Sequence, residues 1–264
     1  MSNFFSNTHE SVPDDSDKND YSYCKGSIDH VSFSSMTAYE NCPYQLFLKN
    51  LHKLPRKSAP AAERGSKLHD KLEQYVKGDL DSFNWKSIKS GEYHRPLIES
   101  FRDDYQIGLC HPEIQYGLTK KLKSCAFDAD KVWHRGILDI LTFESDAKHR
   151  ALIYDYKSGS SKSGAKHRSQ LMLYALVSFM LYPTLKEIHA SPIYIDEKVP
   201  TFLTRFVKKD LELFWPRYSM RLNAVTDATV FPAKPSNMAC RWCDFAHIDY
   251  DAGETEPFCG YAYA

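Results

Sequence analysis

Asp139 closes the run Gly136-Ile137-Leu138-Asp139, and Asp155-Tyr156-Lys157-Ser158-Gly159 begins sixteen positions after it. Each aspartate sits in a β-type run, Trp133 to Phe143 for the first and Ala151 to Tyr156 for the second. Glu144, Asp146, Lys148, His149 and Arg150 mark a charged turn between them, so a hairpin brings Asp139 near Asp155. Asp155 and Lys157 stand two apart on a strand, and their side chains leave the same face. Two carboxylates and a lysine at one sheet end suit a divalent metal ion and a scissile phosphate. A buried carboxylate pair needs a counter-charge, and a metal ion is the simplest one. The plain alternative is a solvated strand face, because this spacing recurs by chance. Leu152, Ile153 and Tyr154 argue against it, since an otherwise buried strand then ends in charge. Gly136 and Gly159 bracket the hairpin, where little bulk lets backbone or ligand approach.

Further candidates lie outside the hairpin. His69 falls in a helical stretch, Ala62 to Val76, one turn after Gly65 and one turn before Glu73. A lone histidine on a helix is more often a core or surface residue, but a neutral imidazole next to carboxylates can ligate a divalent ion. Glu113 opens a strand behind Pro112 and is either near the metal or a solvated edge carboxylate. Gln170 and Tyr174 share one face of an otherwise apolar helix. Lys148, Arg150, Lys157, Lys162, Lys166 and Arg168 are opposed only by Asp155 in their span. They are expected to line a phosphate path beside the metal, with Ser160, Ser161, Ser163 and Gly164 as a mobile loop.

The seven cysteines form an odd set, which does not suggest a disulfide scaffold. Cys240-Arg241-Trp242-Cys243 is a ligand-like pair, and Cys259 follows after fifteen intervening residues. Thiolates of this kind suit zinc or iron and sulfur, and the alternative is an apolar cluster with Trp242 and Phe245.

These residues must be positioned by a fold of ordinary size. The chain has 264 residues, 42% of them hydrophobic, and a formal net charge of zero. That excludes a protein that coats nucleic acid by bulk charge but not one with a local groove. No apolar run is long enough to span a membrane. Met1 to Phe5 has neither a basic region nor a sustained apolar stretch, so no secretory signal is expected and the location is cytoplasmic. No P-loop is present, so an ATP-driven motor would be a separate partner.

Periodicity predicts helices over Ser34 to Leu48, with Ser34 or Ser35 as cap and a second start at Pro43, then Ala62 to Val76, Pro96 to Leu109, Arg168 to Leu181 and Lys208 to Ala224. Strands are predicted over Ile114 to Leu118, Leu122 to Phe127, the hairpin, and Ile188 to Ile195, with Phe202 continuing the sheet. Leu51 to Ala61 reads as a linker rich in proline and basic residues. Three regions follow: a disordered acidic tail over 1–30, a core with N-terminal helices over 31–235, and a cysteine segment over 236–264 that packs back on the N-terminal helices.

Taken in order, the motifs resemble a known group. Ser32 to Met36 precedes Tyr39-Glu40-Asn41-Cys42-Pro43-Tyr44, and Arg64-Gly65-Ser66-Lys67-Leu68-His69 follows. Gly136 to Asp139, Asp155 to Gly159 and Gln170-Leu171-Met172-Leu173-Tyr174 complete the set. Together they resemble the PD-(D/E)XK nuclease superfamily, in particular its RecB-like branch with the Cas4-like exonucleases, over about residues 32 to 259. The resemblance implies an α/β, restriction-endonuclease-like core, with a mixed central sheet flanked by helices and a C-terminal cysteine-containing segment. It implies a metal-dependent DNA exonuclease acting on single-stranded ends in replication, recombination or repair. A helicase or recombination protein would be a separate partner.

The same resemblance implies residue roles. Asp139 and Asp155 hold Mg²⁺ or Mn²⁺, helped by His69 and the backbone carbonyl of Tyr156, with Glu113 as a further candidate ligand. Lys157 orients the attacking water or neutralises developing charge, and Gln170 lies beside it and the DNA backbone. Cys42, Cys240, Cys243 and Cys259 map onto the group's 4Fe–4S ligands, although the gap before Cys259 is longer than usual there. Four thiolates also suit zinc. A cluster would be structural, tying residue 42 to residues 240–259. The alternative in another class is a non-catalytic nucleic-acid-binding or assembly module that keeps a nuclease-like fold.

Overall fold

The computed structural model describes residues 24–54, 60–247 and 259–261. The expected acidic tail as far as residue 23, and positions 55–59 of the expected linker, lie outside the described residues. The described residues fall into two compact units. One contains those of Met1–Ile28, Thr37–Arg56 and Asp227–Ala264, and the other Asp29–Met36 and Lys57–Thr226.

The larger unit is an α/β fold around one mixed sheet. Its strands are β1 (Cys110–Leu118), β2 (Ser124–Cys125), β3 (His134–Phe143), β4 (Arg150–Lys157), β5 (Glu187–Tyr194) and β6 (Thr204–Val207), in the order β2-β1-β3-β4-β5-β6. All neighbours are antiparallel except β4 and β5. That parallel pair needs a crossover, and α5 (Gly164–Leu181) supplies it. Leu171 and the seven successive residues Leu173 to Phe179 of α5 are buried, the pattern of a helix covered on more than one side.

Two helices precede the sheet, α3 (Pro60–Lys77) and α4 (Gly91–Gln106), with a short 3₁₀ turn at Trp85–Ser87 between them. Leu68, Leu72, Tyr75 and Val76 recur at helical spacing and form the buried face of α3. They pack with Ile98 and Phe101 of α4 and with Ile140, Tyr154 and Tyr156 of the sheet. Alternation therefore turns Asp155 and Lys157 to the other face, where Lys157 meets Gln170 of α5. The last helix of this unit, α6 (Lys209–Thr226), contains Pro216. Phe202 does not continue the sheet: it is exposed, because pairing with β5 starts only at Thr204.

The smaller unit carries α2 (Pro43–Asn50) and the one-turn α7 (Asn237–Cys240). The preceding helix, α1 (Phe33–Asn41), begins in the larger unit and ends in the smaller. Its cap is Ser32, not Ser34 or Ser35. Ser32 Oγ accepts the Ser35 amide at 3.2 Å, and the Ser32 amide donates to Ser35 Oγ at 2.7 Å. This reciprocal pair satisfies two otherwise orphaned donors.

Candidate active site and cysteine pocket

Register builds the site. The β1–β3 ladder pairs Pro112 with Ile140 and Ile114 with Leu138, which sets Glu113 opposite Asp139. The β3–β4 ladder ends at Ile140–Tyr154, so Asp139 and Asp155 are next in line. Three carboxylates thus share one row across β1, β3 and β4. Glu113 has φ +49°, in the left-handed region that a glutamate enters at a cost of about 1–3 kcal/mol. Pro112 lies where β2 no longer covers β1, so its missing amide leaves no ladder bond unmade.

Beyond Ile140 the backbone ladder gives way to a side chain. Asp139 Oδ2 accepts the Tyr156 amide at 2.7 Å. His69 arrives from α3, with Nδ1 3.4 Å from Asp139 Oδ2 and 3.7 Å from Glu113 Oε1. Its ring meets that of Tyr156 edge to face at 5.7 Å. A close approach allows this: a Cβ on Gly65, one turn before His69, would stand 3.0 Å from Ser158 Oγ just past β4.

On the α5 side, Lys157 forms an ion pair with Asp155, which is 2% exposed. Lys157 is the charged partner of this buried carboxylate. Lys157 Nζ donates to Gln170 Oε1 at 3.0 Å. Gln170 Nε2 donates in turn to the Tyr174 hydroxyl at 2.7 Å, which fixes the amide with its oxygen towards the lysine.

Electrostatics follow from this crowding. Burial alone would lower the His69 pKa, but hydrogen bonding to Asp139 and Glu113 and the nearby charge of Asp155 outweigh it and raise it to about 10. Burial raises Asp155, with repulsion from Asp139 in the same direction, and Lys157 opposes both. His167 was not singled out from sequence, although it lies three residues before Gln170 on the same helix. Its Nδ1 shares a 2.9 Å hydrogen bond with the Tyr194 hydroxyl. Burial, then the charges of Lys157 and Lys166, lower its pKa to about 4.

His69, Glu113 and Asp139 each offer a ligand atom within 4.8 Å of the others, a set that could hold a metal ion. Two hard carboxylates and one imidazole suit Mg²⁺ or Mn²⁺, and the buried Asp155 carboxylate, paired with Lys157, lies beside them. Asp155 itself stands outside the 4.8 Å group. Tyr156 is adjacent in β4 and contributes its amide to Asp139.

The expected phosphate path divides in two. Lys162, Lys166 and Arg168 are exposed at the start of α5, beside the site. Arg150 lies at the other end of β4, seven steps of about 3.3 Å from Lys157, or roughly 23 Å away, and Lys148 is in the turn before it. There Lys148 covers the Phe143 ring at 4.9 Å, and Arg150 meets Glu144 at 3.7 Å. The hairpin turn that separates Asp139 from Asp155 in sequence is what carries these two cations away.

In the smaller unit, Cys42, Cys240, Cys243 and Cys259 line one small pocket, with Tyr44 and Tyr261 in its wall. Cys42 Sγ accepts the Lys234 amide at 3.4 Å. The Cys259 amide donates to the Phe245 carbonyl at 2.8 Å, which seats that residue despite its distance in sequence. Burial raises the pKa of Cys243, and that of Cys259 to about 11. Cys24, also buried, is not among the lining residues.

The family model of the PD-(D/E)XK nuclease superfamily matches residues 30–248, and the chain belongs to that superfamily. No curated protein is similar enough to count as a match. Among solved structures, that titled "Crystal structure of SSO0001" is similar over 84% of this chain and 85% of its own, at 14% identity and a TM-score of 0.40. Among the described residues, no helix is long and apolar enough to cross a membrane.

Proposed function

We propose that this protein hydrolyses phosphodiester bonds in DNA as a metal-dependent exonuclease of the RecB-like, Cas4-like branch, acting on single-stranded ends in replication, recombination or repair. The observation that carries this reading is the convergence of His69, Glu113 and Asp139 on one point, next to Lys157 paired with Asp155 and braced by Gln170. Asp139, Asp155, His69, Glu113 and the Tyr156 carbonyl hold Mg²⁺ or Mn²⁺. When bound, such an ion acidifies water and stabilises charge on the phosphoryl group and leaving oxygen. Lys157 orients the attacking water or neutralises developing charge, and Gln170 keeps the ammonium on station. Lys162, Lys166 and Arg168 receive the neighbouring phosphates. A helicase or recombination protein would act as a separate chain. A linear single strand should be degraded in Mg²⁺ or Mn²⁺ while a covalently closed circle survives, and rapid cutting of the circle would reject the end requirement.

The cysteine pocket supports a structural 4Fe–4S cluster held by Cys42, Cys240, Cys243 and Cys259. Four thiolates lining one pocket could each bind a different iron of such a cluster, and four thiolates also suit a tetrahedral zinc. Loading would displace protons from buried thiols and fasten residues 236–264 to the N-terminal helices.

A further inference from the structure

β4 and β5 run parallel, with Lys157 paired to Tyr194, so the loop after β5 emerges at the same sheet end as the candidate site. Three contacts anchor the base of that loop. Both guanidinium nitrogens of Arg64 reach the Asp196 carboxylate at 2.7 Å. His94 Nε2 lies 3.0 Å from the Tyr194 carbonyl oxygen and 2.9 Å from that of Glu197. The Glu197 carboxylate accepts the Ser161 amide at 3.3 Å, which joins this loop to the one leading into α5.

From this fixed base the chain leads to Phe202, 75% exposed, and Leu203, 44% exposed. Phe202 stands two residues before Thr204, which pairs with Ala190 of β5, and Pro192, two residues further along β5, pairs with Asp155. Two strand spacings of about 4.8 Å separate β6, which this segment enters, from β4, which carries Asp155. Lys162, Lys166, Arg168 and Lys198 are exposed on the two joined loops or just beyond, and among the described residues none of them forms an ion pair. The surroundings are complementary to a polyanion, and the ring offers a flat apolar face. Bases within a duplex already stack on one another and have no face to give, whereas an unpaired base does.

We propose that Phe202 is the stacking platform for an unpaired nucleobase of single-stranded DNA, one or two nucleotides from the phosphate held at the candidate site. The proposal rests on the nuclease reading for the identity of its ligand. It adds the residue that grips the base and explains a preference for unpaired over paired strands.

Binding of fluorescein-labelled oligothymidylate to the full chain, measured by anisotropy in EDTA, tests this without any cleavage. Phe202→Ala should weaken binding roughly tenfold, Phe202→Trp should restore it, and duplex binding should not respond to either. An abasic scan localises the contact. One abasic position should cost the wild type what Phe202→Ala costs, and should cost Phe202→Ala nothing more. Equal single-strand affinity for wild type and Phe202→Ala overturns the proposal, as does an abasic profile identical in both proteins. Loss of self-association in Phe202→Ala with unchanged DNA affinity overturns it too, since the ring would then meet a second copy of the chain. A wild type that grips a base through Phe202 yet shows no cleavage with any divalent ion supports the stacking role and removes the nuclease reading alone.

Discussion

The Asp139 carboxylate replaces the ladder bond that β3 no longer supplies to β4, accepting the Tyr156 amide at 2.7 Å through the same oxygen that faces His69. One side chain therefore closes the sheet and presents a metal ligand. Asp139→Asn keeps an oxygen for the Tyr156 amide, and Asp139→Ala leaves that buried donor without a partner. Both variants should lose metal binding, but only the alanine should lose about 1–3 kcal/mol of stability relative to the asparagine. Urea unfolding combined with metal titration checks the pair.

Lys157 does more than face a phosphate. It is the charge that opposes the upward push of burial on Asp155. Lys157→Ala should therefore shift metal binding to higher pH, because Asp155 becomes harder to ionise. At a pH where metal saturates, the single-turnover rate should still fall by about 10²–10³, the cost of one missing stabilising donor. Titrations across pH together with quenched-flow rates separate the two effects. A variant with wild-type metal binding at every pH would contradict the coupling.

His69 should be protonated at neutral pH in the metal-free protein, since its pKa is raised to about 10. A raised folded pKa gives a stabilising contribution that is complete below about 6.5 and fades as pH rises towards 10. Metal requires the neutral ring, so binding at pH 7 should release about one proton from this site, and apparent affinity should climb with pH. Calorimetry in buffers of different ionisation enthalpy measures the release, and His69→Asn should abolish it.

Much of this site is legible in the sequence, because strand alternation and a hairpin fix Asp139, Asp155 and Lys157 once the strands are recognised. Glu113 was not distinguishable from an edge carboxylate. Its left-handed backbone, which helps bring it to His69, leaves no mark in the pair Pro112-Glu113. Lys148 and Arg150 stand close to Lys157 in sequence, but an extended strand of eight residues holds its two ends roughly 23 Å apart. Ser32, Ser34 and Ser35 offer the same capping chemistry in sequence, and only geometry selects Ser32 as the cap of α1. Phe202 looks like a strand residue by type, yet pairing begins two positions later.

The cysteine pocket yields a separate outcome. Protein purified without oxygen should be brown, with broad absorbance from thiolate-bound iron. Cys42→Ser, Cys240→Ser, Cys243→Ser or Cys259→Ser should each lose iron and stability, and Cys24→Ser should keep its iron because Cys24 does not line the cavity. Elemental analysis decides, and an iron-free reconstituted wild type would remove the cluster while leaving the nuclease site untouched.

The central claim is that the carboxylate row, His69 and Lys157 form a working nuclease centre. The most direct measurement follows end-labelled single-stranded DNA with purified protein through a series of divalent ions. Wild type should degrade it in Mg²⁺ or Mn²⁺, EDTA should stop the reaction, and Lys157→Ala should leave the label intact. No cleavage with any divalent ion, or identical products from wild type and Lys157→Ala, would contradict the account.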